Sequence, residues 1–225
     1  MKRIISLVFA IGCLLSFAMA QQYTFSNKIT YYGYSILDGK NVPMIYKVYW
    51  SPNQKIVALE VEDVHGYNTG LMIVDEYKKL QYILDEREHT GVVIPLHIAD
   101  KFEINAEYNT HIIDTAKAQY TLTKTNVTKQ FLNQKATEYI LSDKAKHLKY
   151  YYWVSYPSRS FEQAMIDLQY GKSAFMVIPH KLKGLILRYL AKNSNGAVLA
   201  DFKATDLKLD QKFTFDVAQY KLVRK

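Results

Sequence analysis

The amino-acid sequence predicts a mainly β chain of α+β class: one large curved antiparallel sheet of about nine strands, an open half-barrel with one or two helices on its concave face. Three observations predict it. Apolar and polar residues alternate with period two along most of the chain, the 225 residues include 19 tyrosines and 10 phenylalanines, and only two stretches show helical spacing. Tyrosine suits such a sheet because its ring packs while its hydroxyl stays wet.

In chain order, Lys2 and Arg3 precede an apolar run from Ile4 to Phe17, and Ala18-Met19-Ala20 reads as a small-x-small cleavage signal. Residues 1–20 are therefore expected to be an export signal cut between Ala20 and Gln21, and 21–225 a single domain. Met44, Tyr46, Val48 and Trp50 alternate with Ile45, Lys47, Tyr49 and Ser51. After the turn Ser51-Pro52-Asn53-Gln54, Val57, Leu59 and Val61 alternate in the same way, which makes a hairpin. His65 to Gly70 reads as a loop, Leu71 to Val74 as a buried strand, and Gln81 to Leu84 as another short one. Pro95 to Glu107 places Leu96, Ile98, Ala99 and Phe102 on a rough helical stripe. Strands follow at 118–123, 136–141 and 147–154. In Arg159 to Tyr170, Phe161, Ala164, Met165 and Leu168 recur at three and four, and Ser160 with Gln163 fits a capping box, so a helix is expected. Strands at 185–191, 197–203 and 212–217 complete the sheet, with Asn193-Ser194-Asn195-Gly196 as a type I′ hairpin turn. No Gly/Ser/Pro-rich linker or repeat divides the chain.

Cys13 is the sole cysteine and lies inside the export signal, so disulfides, thiol catalysis and cysteine metal sites are not expected in the exported chain. Ala10-Ile11-Gly12-Cys13 also resembles a bacterial lipoprotein box, and cleavage there would leave the protein anchored through Cys13. No other apolar stretch approaches the ~20 residues that span a bilayer. The periplasm or the cell exterior is the expected address. Beyond residue 20 there are 27 basic and 21 acidic side chains, and the excess lies in Lys181 to Lys225, where 10 face 4. That region suits an anionic membrane surface or polysaccharide, or it is a solvated lysine face that discourages edge pairing. Nucleic acid is not an expected partner, because no zinc finger, helix-turn-helix or glycine-aromatic RNA motif is present.

Lys181-Leu182-Lys183-Gly184-Leu185-Ile186-Leu187-Arg188 is similar to the Gly-Leu-Pro-Gly-Leu-Ile-Leu-Glu motif of the GLPGLI family of Bacteroidota-type bacteria. Leu182, Gly184, Leu185, Ile186 and Leu187 match, while Lys181, Lys183 and Arg188 replace a glycine, the proline and the glutamate. Gln134 to Tyr139 resembles a segment in which a glycine and a cysteine precede a strand, with Asn133 and Ala136 in their places. Tyr152-Trp153-Val154 resembles the tryptophan strand before a helix. The order of elements as a whole resembles LolA-like secreted families. The resemblance implies a LolA-like open barrel in the bacterial envelope and supplies no catalytic residue or cofactor.

From the residues alone, Gly184 at the mouth of an apolar strand marks a sharp turn or a close approach of another chain. A half-barrel with a helix over its hollow side exposes one parity of each strand to a cavity. The candidate lining is Met44, Tyr46, Val48, Trp50, Val57, Leu59, Tyr150, Tyr152, Val198 and Phe202, with Phe161, Met165 and Leu168 from the helix. Non-catalytic binding of an apolar or lipid-bearing ligand is one reading of that lining. A solid core in a structural or protein-interaction module is the other, since apolar positions at these spacings usually fill an interior. Enzymatic motifs are missing. Gly171-Lys172-Ser173 lacks the phosphate-loop glycine, since Ile166 stands five places earlier, and there is no Gly-x-Ser-x-Gly elbow. His65, His89, His97, His111, His147 and His180 show no metal-binding spacing. Asp85-Glu86-Arg87-Glu88-His89 reads as a solvated turn. Asn126-Val127-Thr128 is a glycosylation sequon and Asp114-Thr115-Ala116 resembles an oxygen-linked glycan site.

Overall fold

The computed structural model describes residues 22–37, 39–52, 54–65, 68–96, 119–155, 161–162, 164–165, 168, 175–179 and 181–225. The expected export signal, Cys13 and Asp114-Thr115-Ala116 lie outside them. The described chain is mainly β, as the periodicity predicts. Strands β1 (Gln22–Phe25), β2 (Asn27–Leu37), β3 (Lys40–Trp50), β4 (Ile56–Glu62), β5 (Asn68–Asp75), β6 (Leu80–Asp85) and β7 (Thr90–Pro95) form the first half. Strands β8 (Tyr120–Phe131), β9 (Gln134–Asp143), β10 (Leu148–Val154), β11 (Ile186–Lys192), β12 (Val198–Lys208), β13 (Phe213–Asp216) and β14 (Lys221–Arg224) form the second. Twelve of them make one open sheet in the order β14-β7-β6-β5-β4-β3-β2-β12-β11-β10-β9-β8, and β1 with β13 makes a separate two-stranded sheet. All neighbours are antiparallel except β14, which runs parallel to β7.

The count of about nine strands is too low. The missed β2 carries Tyr31-Tyr32, one tyrosine on each face, which hides its alternation, and Gly33 reads as a turn. The missed β7 is only Thr-Gly-Val-Val-Ile-Pro, bounded by residues that signal loops. Asn68 to Gly70, expected as loop, begin β5. Of the helix expected at 95–107, Pro95 instead ends β7, Leu96 is helical, and the part beyond it lies outside the described residues. In the other expected helix, Phe161, Glu162, Ala164, Met165 and Leu168 are helical.

The Asn193–Gly196 hairpin forms, but its turn is not type I′. Only Gly196 has positive φ, 80°. The Asn193 side chain accepts the N–H groups of Asn195 and Ala197 at 3.0 and 2.9 Å, and Gly196 N–H bonds to Asn193 O. That side chain holds an ordinary type I turn and leaves glycine the single left-handed position.

Register assigns one parity to each face. Trp50 opposes Val57 and Val48 opposes Leu59; Tyr31 opposes Tyr46; Phe202 opposes Gly33 and Tyr189, which opposes Tyr152. These residues form the concave face, and one hydrophobic cluster joins them to Phe161, Met165 and Leu168. A second cluster lies behind β3 to β7 on the convex side, where β1, β13 and the 3-10 turn Val217–Gln219 cover Tyr49, Ala58, Leu71, Ile73 and Tyr82. Leu71–Val74 is thus buried from both sides, which explains why it reads as a continuous apolar run.

Candidate functional site

The strand positions predicted to line a cavity fall on the concave face, except Val198, which sits at a register shift opposite Lys192. Val48, Trp50, Val57, Leu59, Tyr150, Tyr152 and Phe202 are buried, as are Phe161, Met165 and Leu168 of the helical stretch, whereas Met44, Tyr46 and Val198 are half-buried. Trp50 meets the Phe161 ring edge to face at 5.2 Å, so the helical stretch rests directly on the sheet.

The centre of this face is an aromatic socket. Phe175 stacks on Tyr46 with ring centroids 4.2 Å apart and planes 7° from parallel. It also meets Tyr31 at 5.2 Å and Phe202 at 5.4 Å. Phe175 is itself half-buried, while the next residue, Met176, is fully buried. Offset and edge contacts of this kind contribute about 1 kcal/mol per pair beyond burial.

Two tyrosines tie the socket together. Tyr31 Oη donates to Ile186 O at 2.7 Å, a bond from β2 past β12 to β11 that the curl of the sheet brings within reach. Tyr152 Oη donates to Val177 O at 2.8 Å, fastening the strap 175–179 to β10. Burial pushes the hydroxyls of both well above the ordinary tyrosine value. Tyr150 is pushed up to about 12, by burial first and then by the neighbouring charge of Asp143. These groups stay neutral at any physiological pH, so these tyrosines present rings and neutral hydroxyls rather than charge.

Gly33 makes the socket possible. A Cβ there would lie 2.0 Å from Asp201 O, 2.5 Å from Phe202 Cδ1 and 2.7 Å from Phe202 Cα, so only glycine lets β12 and the Phe202 ring approach β2 this closely. Tyr31, Gly33, Phe175 and Tyr189 escape the sequence reading. For β2 the signal is obscured by tyrosines on both parities, and Phe175 belongs to no regular element.

The motif Leu182-x-Gly184-Leu185-Ile186-Leu187 enters this core. Leu182, Leu185, Ile186 and Leu187 are all buried, and Gly184 takes φ 125°, the sharp turn anticipated for it. Ser155 N–H bonds Leu185 O at 2.9 Å, joining the motif to the end of β10. Trp153, between Tyr152 and Val154, points the other way. It is buried on the convex side beneath Lys129 and Arg188, which lie 5.2 and 5.1 Å from its ring centroid.

Among the described residues, no three His, Cys, Asp or Glu side chains converge as a metal site requires, and His97, His111 and His180 lie outside them. Asp85 Oδ1 accepts the N–H groups of Arg87 and Glu88, making the charged cluster 85–89 the turn between β6 and β7. Asn126 of the sequon is exposed at a bulge of β8. Among the described residues, no helix is long and apolar enough to cross a membrane.

No family model matches the chain, and no curated protein matches it. Solved structures resemble it at low identity. An uncharacterized conserved protein from Thermus thermophilus is 12% identical, with 93% of each chain covered and a TM-score of 0.49. MucB is 13% identical over 82% of this chain and 53% of its own, with a TM-score of 0.46. A LolA superfamily protein from Nitrosomonas europaea is 10% identical over 82% and 86%, with a TM-score of 0.32. These are likenesses of architecture; what bears on function is the set of side chains on the concave face.

Proposed function

We propose that the protein is an exported, non-catalytic envelope protein that holds an apolar or lipid-bearing ligand on the concave face of its sheet. The observation that carries this reading is the three-ring socket of Tyr31, Tyr46 and Phe202, filled by the half-buried Phe175 of the chain's own strap. The sheet beneath has its own complete ladders and does not need the strap for its register. An acyl chain entering the socket would replace Phe175 at little cost, since one apolar group is exchanged for another of similar area. Protein stripped of lipid, soaked with envelope extract and weighed by native mass spectrometry should carry lipid, and Phe175→Ala, which empties the socket, should carry more. A clean apo mass for both proteins across several extracts would overturn the reading.

The close packing of Trp50 on Phe161 and the burial of Val48, Val57 and Leu59 favour a second reading, a solid-core module that contacts a partner protein in the envelope. On that reading Phe175→Ala simply loses stability and binds no lipid.

A further inference from the structure

On the convex side, the turn-bearing ends of β9 to β12 carry an unbalanced cluster of cations. The β9–β10 turn and the β11–β12 turn lie side by side there and enclose a pocket of about 370 Å³. Lys144, His147, Lys149 and Lys192 line it. Lys149 and Lys192 are direct cross-strand partners, an arrangement that costs stability because like charges oppose each other on one face. Among the described residues neither makes an ion pair. The pocket's single carboxylate, Asp143, is 3% exposed and spends Oδ1 on the N–H groups of Ala145 and Lys146. A sheet that keeps two lysines face to face without a counter-ion is organised to receive one from outside.

The rest of the lining indicates what kind of anion. Ser142, Asn193 and Ser194 bring hydroxyl and amide groups, and the half-buried Tyr151 provides a ring, with Lys192 Nζ 5.6 Å from its centroid. Tyr151 begins a row that continues to Trp153, 6.4 Å away and nearly parallel, and on to Arg188 and Lys129. Leu148, half-buried, is the pocket's one large aliphatic side chain, and the large apolar side chains exposed elsewhere, such as Val127, Leu209 and Val223, do not line it. A bilayer surface would call for apolar groups to insert between headgroups, whereas a sugar acid calls for cations, hydroxyl partners and an aromatic plate.

We propose that this turn-end pocket binds an acidic saccharide, its carboxylate between Lys149 and Lys192 and its ring against Tyr151. The site is on the opposite face from the aromatic socket and stands independently of lipid carriage.

The test is calorimetric titration with hexagalacturonate at low salt, with neutral maltohexaose, inorganic phosphate and phosphatidylglycerol–phosphatidylcholine vesicles as parallel probes. The expected result is binding of hexagalacturonate alone, weakening as salt is added, and weakened at least about tenfold in the Lys149→Gln/Lys192→Gln double variant. That variant should melt no lower than the parent, because it removes a like-charge pair. Lys55→Gln/Lys78→Gln, whose lysines pair with Glu76 and Asp75 across the molecule, should bind as the parent does. The proposal is overturned if hexagalacturonate binds no better than maltohexaose, if the double variant binds undiminished, or if phosphate or the vesicles bind in its place.

Discussion

The two hydrophobic clusters of this protein are sealed in different ways. The concave cluster is covered by Phe161, Ala164, Met165 and Leu168 of the helical stretch and by the strap 175–179, which reaches the sheet largely through rings and the Tyr152 hydroxyl. The convex cluster is covered by β1 and β13, far apart in the sequence, which pair with each other and lay Tyr23, Phe25, Phe213 and Phe215 on the back of β3 to β7. One cover is a helical stretch with a strap and the other a closed two-stranded tie. Among the described residues the tie stops short of β9 to β12, whose back carries long cations lying over rings, as Arg188 and Lys129 do over Trp153. The contrast teaches that, among the described residues, the sheet is covered on both faces at β3 to β7 and mainly on its concave face at β9 to β12.

Alkaline pH tests the concave seal most severely. Tyr31, Tyr152 and Tyr189 are neutral in the fold because burial raises them above the ordinary value of 10.0. Their contribution is complete below that value and is lost as pH rises toward the raised values, since only the unfolded chain then gives up the proton. Each should remove about 1.4 kcal/mol of stability per pH unit above 10, seen as a falling Tm with tyrosinate absorbance appearing only on unfolding. Absorbance that develops while the fold persists would mean the concave wall is wet.

Phe25→Ala attacks the convex tie. Phe25 is fully buried and meets Tyr49 and Phe215, so its loss should cost about 4 kcal/mol in urea unfolding. A cost below about 1 kcal/mol would show that β1 is a loose cover after all. Gly33→Ala strikes the seam, where the added methyl meets Phe202 backbone and ring. About 3 kcal/mol of destabilisation is expected, together with a changed near-ultraviolet aromatic signal. Tyr31→Phe keeps the ring and leaves Ile186 O without its donor, for about 1.5 kcal/mol. Lys129→Ala, over the Trp153 ring, should cost under about 1 kcal/mol because an exposed cation over a ring contributes little. A larger loss there would mean that Trp153 depends on its cations as much as Trp50 depends on Phe161.

Much of the concave wall is legible in the sequence alone. Period two along 44–50, 57–61 and 150–152 fixes which residues share a face, because side chains in a strand alternate strictly, and the three-four spacing of Phe161, Met165 and Leu168 fixes their stripe. The missed positions share a cause. Tyr31 and Tyr32 are the same residue on opposite faces, so composition cannot say which is buried; in the fold Tyr31 is sealed and Tyr32 is 51% exposed. Trp153 illustrates the reverse, a tryptophan whose burial is readable but whose face is set by neighbours distant in sequence, Lys129 and Arg188.

The sequence by itself determined the β class, the parity of most of the expected strands and the helical stretch that carries Phe161, Met165 and Leu168, because those are local consequences of alternation and spacing. It also determined Gly184 as a turning point, since the chemistry of that residue is local too. Only the tertiary structure decided that β1 and β13 close over the back of the sheet, that Phe175 fills a ring of aromatics, and that Lys149 faces Lys192. Each of these depends on which strands become neighbours, and register between segments far apart in the chain is settled by the packing of the whole sheet.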